Sequence, residues 1–183
     1  MKNLIIVLFI TISTSIFAQD IEMLGFINQY RSFNGKSALV WSCDLAKISK
    51  TQTAVIIKQD SLSHSHVTTE IATMGHSLPS TNNEKTNFIT FLKNVFGVDY
   101  LESKNDTDVV KYVKLYSIYM FDQSPKHKAI LLGNYKSIGF DIVISDIKFK
   151  SNIIKIGDKS VEYKNFVNHY KVNFYVVMNF KNE

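Results

Sequence analysis

The apolar residues of this chain change their spacing near Asn134. Before that point they recur every three or four residues; after it they alternate. Ile21 to Phe33 carries Leu24, Ile27 and Tyr30 at helical spacing, and Asn34-Gly35 is a stop signal. Ser42 is placed to cap a second helix, with Leu45, Ile48, Gln52, Val55 and Ile56 along one face, fading near Gln59. Phe88 to Phe96 reads as a short helix ended by Gly97. Asp106 opens a longer helix whose stripe of Val109, Val113, Tyr116, Met120 and Phe121 reads as core, not as a cofactor box. Ser124-Pro125 starts a further short helix, closed by Gly133. Then Ile138, Phe140, Ile142 and Ile144 alternate, Gly157-Asp158 marks a hairpin turn, and Val172, Phe174, Val176, Met178 and Phe180 form a last long strand. Helices first and strands last predict an α+β fold, with an antiparallel sheet formed mainly by the C-terminal strands. The polar stretch from Ser61 to Asn87 is expected to be loop, with a helical turn around Val67 to Ala72.

The first eighteen residues read as a secretory leader. Lys2 gives the positive start, an apolar run from Leu4 to Phe17 follows, and Ala18 precedes the expected cut at Gln19. The run is short for a bilayer span and is diluted by Thr11, Ser13, Thr14 and Ser15. The expectation is a signal peptide over 1–18 and one domain over 19–183, secreted or periplasmic, with no transmembrane segment after cleavage.

Composition narrows the partners. The net charge of +5 is mild, and lysines are interleaved with Asp and Glu, so no nucleic-acid stripe is expected. Cys43 is the only cysteine, so no intrachain disulfide can form and the core alone must hold the fold. A buried or half-buried structural thiol is the expectation at Cys43, not a nucleophile.

Chemistry can come from five histidines: His64, His66, His76, His127 and His169. His127 sits just inside the helix opened by Ser124-Pro125, where the helix dipole disfavours a positive ring. A neutral imidazole is what a metal ligand or a base requires. His66 and His76 are expected to be exposed, and His169 to lie at a sheet end.

Phe26-Ile-Asn-Gln-Tyr-Arg31, Asn34-Gly35, Leu39-Val-Trp41 and Asp44-Leu-Ala46, followed by Leu62-Ser-His64, resemble the opening of the CAP superfamily, the proteins related to cysteine-rich secretory proteins, antigen 5 and pathogenesis-related protein 1. Ser124-Pro-Lys-His127-Lys-Ala-Ile-Leu131 with Asn134-Tyr135 and Ile138-Gly139-Phe140 resembles the Ser-Pro-x-His block of its bacterial SCP-domain branch. The resemblance implies a three-layer α-β-α sandwich and a cleft holding two histidines and acidic residues. His64 and His127 match the two histidines. The family's glutamate segment has Asn83-Glu84-Lys85 as its nearest counterpart, with Glu102 as rival, and the second acid has no match.

Two imidazoles and a carboxylate on one cleft could hold Zn²⁺ with an open position, His64 and His127 being the ligands, or could simply shape a polar surface. The resemblance requires no cofactor. It implies a binding module for a lipid, peptide or protein ligand. The alternatives are a metal-assisted hydrolase and a structural cell-envelope protein with a vestigial cleft. No Gly-x-Ser-x-Gly and no His-Glu-x-x-His occurs, so no catalytic residue is assigned.

Overall fold

The structure, a computed structural model, describes residues 21–64, 69–75, 82–98, 106–149, 153–156, 159–162 and 170–182. The leader, His66, His76, His169 and Glu102 lie outside these residues.

Helix α1 covers 21–33 and buries Met23, Ile27, Tyr30 and Arg31. Gly35, with φ +69°, ends it, and the Lys36 N–H returns to the Arg31 carbonyl at 2.9 Å. Only glycine adopts that backbone without strain. The Asn28 side chain then bonds both backbone groups of Leu39, donating to its carbonyl at 3.0 Å and accepting from its N–H at 2.8 Å. That clamp delivers β1 (Val40–Trp41) to the sheet, where the expected connector is a two-residue strand.

Helix α2 (Cys43–Gln59) has Ser42 as N-cap, accepting from the Leu45 N–H. Its buried face is Leu45, Ser49, Gln52, Thr53 and Ile56, so Val55 of the expected face points outward. The rotation has a polar cause. Ser49 donates to the Gly139 carbonyl at 2.9 Å and accepts from the Asn179 amide at 2.8 Å, which draws the Ser49 side of the helix onto the sheet. A Cβ at Gly139 would run into the backbone of Leu45 and Ala46, so the helix can approach this closely only over glycine. Cys43, at the first turn on the outward side, is exposed and not half-buried as expected.

The polar stretch after α2 contains a strand where a helical turn was expected. β2 (Thr69–Gly75) pairs antiparallel with the last strand, from Thr69 opposite Phe180 to Gly75 opposite Phe174. Pairing overrides its weak propensity, and Glu70 to Thr73 are all buried. Helix α3 (Asn82–Phe96) begins earlier than its apolar core suggests and stops at Gly97, φ +67°. Helix α4 (Asp106–Gln123) carries the expected stripe, but every residue from 112 to 119 is buried. Packed on more than one side, it has no solvent face there, and its Lys114 ammonium is held by Glu22 at 2.8 Å. Helix α5 (Pro125–Leu131) follows at once.

The sheet order is β1-β3-β6-β2, with β3 (Ser137–Phe149) and β6 (Tyr170–Lys181) antiparallel and β1 parallel to β3. β4 (Ile153–Ile156) and β5 (Lys159–Glu162) form the expected hairpin, Ile156 opposite Lys159. The α+β expectation holds. Successive residues of β6 serve two clusters: Phe174, Val176, Met178 and Phe180 meet Ile27, Phe88, Val113 and Leu131, while Tyr175 and Val177 meet Ile56 and Ala72. Each fully buried Phe, Val or Met here contributes about 1.5–3 kcal/mol.

Arg31 is buried, and among the described residues no carboxylate is a bonding partner. Nε donates to the Ser37 carbonyl at 2.9 Å, and Nη1 donates to Leu131 at 2.6 Å and Gly133 at 3.1 Å. Burial pushes its pKa down. The carbonyls at the end of α5 carry partial negative charge and hold the guanidinium in place of an anion.

Candidate functional site around His64 and His127

Helix α2 ends at Asp60 in the left-handed region, φ 46°, and the chain turns sharply. Gln52, buried on α2, then fixes the next segment by donating to the Ser63 carbonyl at 2.7 Å and hydroxyl at 3.0 Å. His64 is therefore held at a defined place. Its Nδ1 lies 3.1 Å from Oε1 of Glu70, a residue of β2 opposite Asn179. The His64 side chain is 42% exposed and that of Glu70 only 2%. A carboxylate so buried must be bonded, and the imidazole supplies one such bond.

His127 arrives from the first turn of α5. Ser124 is extended at the N-cap, without a side-chain cap bond, and Pro125 presets the first turn. The His127 ring stands edge-on to Phe121, centroids 5.6 Å apart. Its pKa is lowered, first by burial, then by the charge of His64, then by Lys126. Charge on His64 disfavours charge on His127, so neither imidazole gains by both being protonated.

Helix α5 is held at both ends. Asp122 accepts from Lys128 at 2.7 Å and from the Tyr30 hydroxyl at 2.6 Å, tying its start to α4 and α1. Arg31 grips its last carbonyls. His127 thus sits on a short helix whose position is fixed from outside, which suits a group that must be aimed.

Glu84 lies in the first turn of α3, where the Tyr116 hydroxyl donates to it at 2.6 Å. Tyr116 is pushed well above the usual phenol range by burial first and by this carboxylate second. Phe88 packs edge-on to Tyr116, which stacks on Tyr119, so Glu84 belongs to an aromatic seam between α3 and α4. The acid that meets His64 is Glu70. Sequence reasoning passed over it because Ser61 to Asn87 looked like loop. The available signal was Thr69-Glu-Ile-Ala72, an acid six residues after the Ser-His histidine within a segment able to alternate.

Among the described residues no group of three or more His, Cys, Asp or Glu side chains is placed to hold a metal ion. His64 turns Nδ1 toward Glu70, which orients the ring and leaves Nε2 for a further partner. Among the described residues no helix is long and apolar enough to cross a membrane.

One protein-family model matches, that of CAP, the cysteine-rich secretory protein family, over residues 24–180. No curated protein and no solved structure matches the chain.

Proposed function

Since the chain belongs to the CAP, or cysteine-rich secretory protein, family, we propose that it is a secreted or periplasmic binding module whose recognition surface is built around His64, His127 and Glu70. Glu84, held by Tyr116, serves as the second acid of the same surface. The observation that carries this reading is the His64–Glu70 pair at 3.1 Å, joined by a His127 ring whose protonation is disfavoured by burial and by the charge of His64.

The chemistry on offer is hydrogen bonding. With Nδ1–H donated to Glu70, a neutral His64 presents Nε2 as an acceptor, and neutral His127 offers one donor and one acceptor. Such groups suit amide and hydroxyl functions of a peptide or lipid headgroup better than a bare charge. The Ser63 hydroxyl next to His64 in the chain is engaged by Gln52, which favours binding over a serine-based hydrolysis.

The test is NMR of the histidine ring protons during titration with dodecylphosphocholine micelles and with a mixed tetrapeptide library. Joint shifts of the His64 and His127 signals with one probe class, lost in Glu70→Ala, support the module. If neither probe moves either ring, the recognition surface lies elsewhere. Tight zinc binding by calorimetry that vanishes in His64→Ala/His127→Ala would replace this reading with the metal-assisted one.

A further inference from the structure

The opposite edge of the sheet carries a cavity that the histidine site does not use. Strand β1 pairs only with Ser137 and Ile138 before the chain leaves through Ser42, whose N–H donates to the Ile138 carbonyl at 2.8 Å. No other described strand continues along that side of β3. A cavity of about 370 Å³ opens there, at the size of small-molecule pockets. β1 and β2 are the outer strands, three strand spacings or about 14 Å apart, so this cavity is separate from Glu70.

Its lining has two parts. Met23, Ala46 and Ile142 join Trp41 and Phe140, whose rings meet edge-on at 4.8 Å, in an apolar wall. Three lysines, Lys47, Lys50 and Lys114, line it together with one acidic residue, Asp141. Lys114 is fixed by Glu22, so its charge is largely spent. Lys47 pairs with Asp44 at 3.2 Å, but both side chains are at least 79% exposed, and such a pair holds a lysine weakly. Burial favours the neutral form of Asp141, while Thr53 and Lys50 oppose that shift. Lys47 and Lys50 also border a shallow hollow on the outer face of α2 with Lys58, which concentrates positive charge on this side.

We propose that this cavity binds a small aromatic carboxylate, its ring against Trp41 and Phe140 and its acid group at Lys47 and Lys50. The ring gains aromatic contact and dehydration, and the acid group replaces weak surface pairing with two ammonium partners.

The chain carries its own reporters, because Trp41 is the only tryptophan and Cys43 the only cysteine, and both line the cavity. The full chain is titrated with 4-phenylbutyrate and with its neutral counterpart 4-phenylbutanol. Trp41 emission and the rate of Cys43 reaction with 4,4′-dithiodipyridine are followed. The acid is expected to shift the emission, to slow the thiol reaction about fivefold at saturation, and to bind about tenfold more tightly than the alcohol. Lys47→Gln/Lys50→Gln, at two exposed positions, is expected to remove that preference while circular dichroism stays unchanged. Ala46→Leu is expected to abolish binding of both compounds. The proposal is overturned if millimolar phenylbutyrate changes neither reporter, if acid and alcohol bind the wild type equally, or if the double variant keeps the preference.

Discussion

Glu70 and His64 meet at 3.1 Å although one side chain is almost wholly buried and the other is 42% exposed. The buried carboxylate therefore dictates which way the exposed ring faces. Neutral His64 is expected to carry its proton on Nδ1, with Nε2 bare. Two-dimensional ¹⁵N NMR of the ring reads the tautomer directly. In Glu70→Ala the same ring is expected to revert mainly to the Nε2–H form; an unchanged tautomer would mean that Glu70 does not orient it.

His127 should make the fold sensitive to mild acid. Its folded pKa lies below the unfolded value of 6.5. Between those two values the unfolded chain binds more protons than the folded one, so the contribution of His127 is fully present above 6.5 and declines as the pH falls below it. Urea melts at neutral and mildly acidic pH are expected to show this loss in the wild type and a smaller loss in His127→Gln.

Gly139 and Gly25 should respond in opposite ways to the same change. Gly139→Ala drives a methyl into the backbone of α2 at Leu45 and Ala46 and is expected to cost about 3 kcal/mol. Gly25 lies within α1 with nothing near its missing Cβ, and Gly25→Ala is expected to stabilise by about 0.5–1 kcal/mol. Thermal melts of the two variants decide both signs.

Arg31→Met removes three hydrogen bonds to carbonyl groups, that to Leu131 fully buried, while keeping most of the apolar stem. The expected cost is about 3 kcal/mol by urea denaturation. Hydrogen exchange is expected to rise first at the end of α5 and the turn after it, and with it the mobility of His127. Exchange rising uniformly across the fold would show that Arg31 has no special hold on α5.

Much of this architecture was legible in the chain because local signals agreed with the global result. Asn34-Gly35, Ser42, Gly97 and Ser124-Pro125 mark real helix boundaries, and the alternation from Ile138 and from Val172 marks the two long strands. The failures share one cause. β2 is a strand because β6 lies beside it, and nothing in Thr69 to Gly75 announces that partner. With β2 missed, Glu70 was missed, and so was the hydroxyl that holds Glu84, because Tyr116 was read only as core. The face of α2 was displaced for a similar reason: Ser49 is buried by bonds to Gly139 and Asn179, residues far away in sequence. His64 and His127 were named together from the Ser-His and Ser-Pro-x-His blocks, each of which is a local signal.

β6 is the last strand in the chain, yet it lies inside the sheet between β3 and β2. Until it has been made, β2 has no neighbour to pair with and Ser49 has no Asn179, a partner 130 positions away. Synthesis must therefore run past β6 before the sheet can close, and closure through such distant pairings is slow. For a chain that leaves the cytoplasm as proposed above, that delay is useful. A chain exported in that way would stay threadable through a narrow channel until β6 has been made, and would complete its sheet on the far side.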